Sequence, residues 1–118
     1  MSNIIEPIDM EEVMEILGGD QELLIECFDE LLSSLPRILV KIQSSIKLGD
    51  ASGLDKSAHK LKGSLKYMAA GTAADVAYQL EVMGKEKNLG SANDTFRIFC
   101  DECDKVRDFM EQHKAGSK

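Results

Sequence analysis

The sequence predicts an all-α protein, an antiparallel four-helix bundle with a short additional N-terminal helix. Three observations carry this. Only two prolines occur in 118 residues, Pro7 and Pro36, and β-branched runs are scarce. Turn signals are few and widely spaced, at Gly18-Gly19-Asp20, Gly49-Asp50, Ala70-Gly71-Thr72 and Leu89-Gly90-Ser91. Between them lie stretches of about 15 to 30 residues, too long for strands and right for amphipathic helices. Short loops between such helices favour antiparallel neighbours.

A first short helix is expected over residues 8–17, with Val13, Ile16 and Leu17 as its apolar side. The second runs from Asp20, a good N-cap, to about Leu48. Leu24, Phe28, Leu31, Leu35, Ile38 and Ile42 follow alternating steps of three and four, and Leu32, Leu39 and Ile46 widen that stripe. Pro36 falls inside the pattern and predicts a kink or a fresh start. The third helix spans about 50–68. A fourth is expected to begin at Thr72, with Asp75 completing a capping box and Val76, Leu80 and Met83 buried. The fifth, about 91–112, carries Phe96, Phe99, Cys103, Val106 and Met110 at heptad-like spacing. The chain reads as one domain over 1–118, with its core at about 9–112 and a frayed tail at 115–118.

Composition narrows the function classes. Fourteen basic against 21 acidic side chains give a net charge of -7, which disfavours nucleic acid as a partner. Apolar residues make up 43%, enough for a core, yet no window approaches the roughly 18 unbroken apolar residues of a membrane span. The N-terminus lacks the layout of a signal peptide. Cys27, Cys100 and Cys103 make an odd count, so the expectation is reduced thiols in a cytoplasmic protein with no membrane association.

The third helix carries the chemistry. On a wheel of about 100° per residue with His59 at zero, Leu54, Ala58, Leu61, Leu65 and Met68 fall at roughly 180–260°, a core-facing arc. His59 therefore points to solvent. Lys56, Lys62, Gly63 and Lys66 lie within about 60° of it, with Lys60 on the flank. Residues 56–74 carry four lysines and no acid, while the remainder of the chain is at -11. One basic face centred on an exposed histidine is an anion-handling arrangement. Gly63 costs a helix about 1 kcal/mol relative to alanine, and on an exposed face core packing does not explain it. Its missing side chain leaves a depression where another molecule can approach the imidazole. Gly53 sits near the helix start, where a loop reading suffices.

An imidazole is mostly neutral at pH 7, and surrounding ammonium groups favour that neutral form, with a ring nitrogen free as a nucleophile. Attack on a phosphoryl group would create a negative phosphohistidine that Lys62, Lys66 and Lys60 could offset. A ring walled in by hydrocarbon, or held by a carboxylate, would not fit this reading. No Gly-rich phosphate loop, nucleotide fold or acidic metal pocket is visible. The expectation is a carrier rather than an enzyme, with no cofactor or metal of its own, borrowing catalysis from whatever docks on it.

The segment Ala58-His59-Lys60-Leu61-Lys62-Gly63-Ser64 resembles the AHxLKGS signature of histidine-containing phosphotransfer (HPt) domains. Leu17-Gly18-Gly19-Asp20, Gly49-Asp50, Leu80-Glu81 and Gly84-Lys85 extend the likeness over about 9–112. The resemblance implies a phosphorelay intermediate. Its histidine takes a phosphoryl group from a receiver-domain aspartate and passes it to another receiver. The partners implied are receiver domains of response regulators and hybrid sensor histidine kinases, which supply the Mg2+. It implies His59 as the phosphorylated residue, Lys62 as charge partner, Gly63 as the opening for the partner's active site and Ser64 as a polar support. Lys56, Lys60, Lys66 and Lys85 are the expected partner-binding residues. Leu65 stands where the family commonly has a small residue, and Ala69 where it usually has a glycine.

Cys100 and Cys103 have zinc-ligand spacing, but only His113 is near and Cys103 occupies a core position. A di-iron bundle needs paired Glu-x-x-His motifs, which neither histidine has. The stretch 48–54 faintly resembles the attachment site of an acyl carrier protein, with Ser52 as the candidate, but leaves the histidine–lysine face unexplained. The remaining alternative is a module that docks a receiver or other signalling protein without carrying phosphate.

Overall fold

Asp20 and Asp50 each end one segment and start the next. The structure, a computed structural model describing residues 6–116, holds five helices: α1 Met10–Ile16, α2 Gln21–Leu48, α3 Ala51–Tyr67, α4 Gly71–Lys85 and α5 Ala92–Gly116. No strand occurs among the described residues. The Asp20 carboxylate accepts from the Leu23 N–H at 3.0 Å and that of Asp50 from the Gly53 N–H at 2.9 Å, the N-cap bonds that start α2 and α3. Gly49, at φ 68°, turns the chain between them so that the Asp50 N–H donates to the Ser45 carbonyl at 2.8 Å.

Helices α2 to α5 form the bundle: α3 packs against α2 and α4, and α5 closes the ring against both of those. The neighbours run antiparallel, because early residues of α2 meet late residues of α3 and α5. Cys27 and Tyr67 line one groove, and the Phe28 and His113 rings stack edge to face with centroids 5.6 Å apart. The 28 residues of α2 span roughly 42 Å, which sets the long dimension of 44 Å. Leu24, Phe28, Ile42, Leu61, Phe99 and Met110 are fully buried in one continuous core. The segment before α1 closes one end: Ile8 is buried, and the Asp9 N–H donates to the Ala69 carbonyl at 3.0 Å.

Several boundaries and faces differ from the sequence expectation. Helix α2 continues through Pro36, which sits on the exposed face, so no new helix starts there. Ile16 is 44% exposed, leaving Val13 and Leu17 as the inward side of a helix too short to bury a wider stripe. Thr72 does not cap α4. The helix begins at Gly71, and Ala70 at the cap position makes no side-chain bond. The turn before it explains why. Ala69 adopts φ 57°, its N–H donates to the Lys66 carbonyl at 3.0 Å, and the Ala70 N–H donates to the Leu65 carbonyl at 2.8 Å. This is the paired C-terminal turn of a Schellman motif, and it leads the chain straight into α4. Ala69 therefore occupies the left-handed position that glycine favours. Ala115 and Gly116, expected in a frayed tail, belong to α5, which runs to Gly116; residues 117–118 of that expected tail lie outside the described residues.

Candidate functional site

The apolar phase of α3 fixes the direction of His59. Leu54, Ala58, Leu61 and Leu65 are buried, and the His59 side chain on the opposite face is 66% exposed. Opposite it on α4 stands a residue that the helical wheel of α3 could not reveal. Glu81 lies in the buried stripe of α4, between Ala77, Leu80 and Gly84, with no solvent exposure. Its Oε2 is 2.8 Å from Nδ1 of His59. The Lys62 ammonium faces Oε1 at 2.6 Å, and that of Lys85 meets Oε2 at 3.0 Å.

Gly84 makes this approach possible. A Cβ there would stand 2.6 Å from the Asp55 backbone nitrogen and 2.7 Å from the Ala51 carbonyl oxygen. Backbone atoms cannot give way as a flexible side-chain end can, so α3 and α4 pack this closely only with glycine at the crossing. Gly53 lies within the first turn of α3 rather than in a loop. A Cβ on it would crowd Asp50 Oδ2, on the carboxylate whose Oδ1 caps the helix, and would stand 2.7 Å from Ser45 Oγ on α2.

The electrostatics follow from burial. Burial alone would push the Glu81 carboxyl up, but contacts from Lys62, Lys85 and His59 and the Lys62 charge outweigh it and hold the group at about 2. The same contact raises the Lys85 ammonium. Glu81 is thus ionised at neutral pH, and an ionised carboxylate only accepts hydrogen bonds. The proton between the two side chains must therefore sit on Nδ1 of His59. In the neutral ring, Nε2 is then the nitrogen with the free lone pair.

The imidazole is held by a carboxylate, the arrangement expected not to fit phosphoryl capture. Only Nδ1 is held, however, and the ring remains exposed. Lys62, expected as the charge partner of a phosphorylated His59, lies against Glu81. Its side chain is only 16% exposed, clamped to Glu81 and lying over the Tyr78 ring at 5.1 Å from the centroid. Lys85 joins the same cluster and is 56% exposed.

The other predicted residues lie around this centre. Gly63 is exposed, one turn on from His59, and a Cβ there would meet nothing within 4 Å. Ser64 does not touch His59; its hydroxyl donates back to the Lys60 carbonyl at 3.4 Å. Lys56, Lys60 and Lys66 are exposed and make no ion pair among the described residues. Glu81 is the functional residue that reading for chemistry missed. Its signal was a glutamate at the i+4 position from a buried alanine on an otherwise apolar stripe.

Cys103 is 1% exposed and packs in the core, where burial pushes its thiol well up; burial also raises Cys27 and Cys100. Among the described residues no three His, Cys, Asp or Glu side chains gather as a metal-ligand group. Among the same residues no helix is long and apolar enough to cross a membrane.

A helical bundle that presents one exposed imidazole, oriented by a buried carboxylate and flanked by lysines, defines a class of histidine-bearing signalling modules. The chain belongs to the Hpt domain family, whose model matches residues 26–115. No curated protein matches it. Among solved structures it is similar to histidine-containing phosphotransfer protein B from Pseudomonas aeruginosa. The two share 20% identity over 95% of this chain and 97% of that one, with a TM-score of 0.88. It is also similar to the HPT domain of a sensor hybrid histidine kinase from Shewanella, with 21% identity over 94% and 96% of the two chains and a TM-score of 0.83. These likenesses confirm the bundle with its extra N-terminal helix. Family membership supports the role of a phosphorelay carrier with receiver-domain partners.

Proposed function

We propose that His59 accepts a phosphoryl group from the aspartyl phosphate of one receiver domain and passes it to the aspartate of another. The observation that supports this most is the Glu81–His59 hydrogen bond, which leaves Nε2 unprotonated on an exposed ring. In the forward step the Nε2 lone pair forms a bond to phosphorus while the bond from phosphorus to the partner's carboxylate oxygen breaks, releasing that carboxylate. Nδ1 keeps its proton, so the phosphorylated ring is cationic and Glu81 stabilises it. The same charge makes the ring a good leaving group when a second aspartate attacks, and the carrier returns to its starting protonation state. The receiver is to bring the Mg2+ and the rest of the catalytic groups.

The lysines divide this work. Lys62 neutralises the buried Glu81 and so positions it. Lys85 shares Oε2 with His59 from an exposed position, so it is the cation able to swing to the incoming phosphoryl oxygens. Lys56, Lys60 and Lys66 face the partner, and Gly63 keeps the approach to Nε2 open. Ser64 turns its hydroxyl back to the Lys60 carbonyl one turn earlier.

The test is incubation with a phosphorylated receiver domain. An acid-labile, alkali-stable phosphate on the parent chain, absent in His59→Gln, is expected. A receiver that binds yet never labels the chain would instead identify a docking module without phosphate.

A further inference from the structure

Lys62 carries a charge on the same side of α3 as His59, three residues on, yet only 16% of its side chain reaches solvent. Lys85, which binds the same carboxylate, is 56% exposed. Glu81 accounts for one side of the difference, with Oε1 at 2.6 Å from the Lys62 ammonium. Tyr78 accounts for the other: its ring centroid is 5.1 Å from the same nitrogen. Tyr78 stands three residues before Glu81 on α4, so the two side chains share a face of that helix. It is 53% exposed, so burial in the core does not account for an aromatic ring at this position.

The electron-rich face of an aromatic ring attracts a cation within about 6 Å, and more strongly where water is excluded. Carboxylate and ring therefore act on Lys62 from two sides, and its ammonium must leave both to reach another anion. Lys85 has one contact to give up, at 3.0 Å, and solvent already around it. A phosphoryl group on Nε2 offers both lysines a new anion, and the two are unequally free to take it. Were Lys62 to follow the phosphoryl group, Glu81 would lose the partner of its Oε1 while still fully buried, a costly state for a carboxylate.

We propose that Tyr78 is a positioning residue for phosphotransfer: its ring keeps the Lys62 ammonium on Glu81 when His59 carries phosphate, so that of the two lysines Lys85 turns to the phosphoryl oxygens. The inference rests on the relay reading for the phosphate on His59. It adds a residue that acts through Lys62, by the face of its ring rather than by its hydroxyl. Phenylalanine can therefore take its place, whereas an aliphatic side chain of similar bulk cannot.

The experiment follows lysine side-chain resonances of isotope-labelled chain before and after exchange with a phosphorylated receiver domain, in the parent, Tyr78→Phe and Tyr78→Leu. Before exchange, the methylene beside the Lys62 ammonium should resonate upfield of the other lysines in the parent and Tyr78→Phe, through the ring current, and not in Tyr78→Leu. After exchange, Lys85 should move while Lys62 stays in the parent and Tyr78→Phe, and both should move in Tyr78→Leu. Transfer at saturating receiver should fall about tenfold in Tyr78→Leu, with an unchanged half-saturating receiver concentration, and hold in Tyr78→Phe. The measurement on the parent needs no variant to fold. A Lys62 that is unshifted in the parent, or that follows phosphorylation there, would overturn the proposal, as would equal rates in Tyr78→Leu and the parent; phosphate on His59 would leave the relay reading intact in each case. No phosphate on His59 from any receiver would overturn the relay reading, and the role of Tyr78 in transfer with it.

Discussion

The carboxylate of Glu81, fully buried on α4, accepts a hydrogen bond from Nδ1 of His59, exposed on α3, across 2.8 Å. The pair joins a core group to a surface group, and it decides which ring nitrogen is free. A buried carboxylate is stable there only because two lysines and the ring compensate it. The compensation links folding, protonation and chemistry at one point, and each link can be tested separately.

Lys62→Ala removes the ion pair at 2.6 Å and leaves a buried carboxylate short of one partner. A loss of roughly 3 kcal/mol in urea unfolding is expected, together with slower phosphotransfer. Lys85→Ala removes an exposed group, so melting changes little while transfer still slows. Equal stability of the Lys62 variant and the parent would show the clamp to be idle.

Gly63 separates stability from function. Nothing lies within 4 Å of a Cβ at this position, so Gly63→Ala should stabilise α3 by up to about 1 kcal/mol. Gly63→Gln should fold equally well by circular dichroism and yet transfer far more slowly, because its side chain fills the partner's path. An unimpeded rate in the Gln variant would contradict the account of this glycine.

The Glu81 carboxyl sits at about 2, below its ordinary value of 4.5. A depressed carboxylate contributes stability that is fully present above the unfolded value and is lost as pH falls toward the folded one. Stability should therefore drop between about pH 4.5 and 2, by the order of a few kcal/mol from this group. Chemical denaturation across that window should show a shallower slope for Glu81→Gln than for the parent. Identical slopes would mean that Glu81 is not compensated in solution.

Ala69 holds φ 57°, a conformation that costs an L-residue about 1–2 kcal/mol. Ala69→Gly relieves that strain against about 0.4–1 kcal/mol of added unfolded-state entropy. Its stability should match or exceed the parent's, whereas the β-branched Ala69→Val should lose more than about 1 kcal/mol. Thermal melts of the two variants check the order.

Much of this architecture was legible in the sequence because helical periodicity is a local signal. The stripe of α2, the cap Asp20 and the outward phase of His59 all follow from residues a few positions apart. The misplaced α4 cap came from Ala69, whose left-handed turn is invisible when a non-glycine residue occupies it. The site itself was half legible. The histidine and the lysines lie on one helix and share a wheel, but Glu81 comes from another helix at a distance that Gly84 sets through backbone contact. Without that carboxylate Lys62 reads as a charge partner for the phosphohistidine alone, and Nδ1 as no less free than Nε2.

The central claim concerns one atom, and phosphorus–nitrogen coupling on ring-labelled protein addresses it directly. After exchange with a phosphorylated receiver, the account predicts phosphorus bonded to Nε2 of His59, with Nδ1 still protonated against Glu81. Phosphorus on Nδ1, or an unmodified ring in a chain that the receiver demonstrably binds, would contradict it.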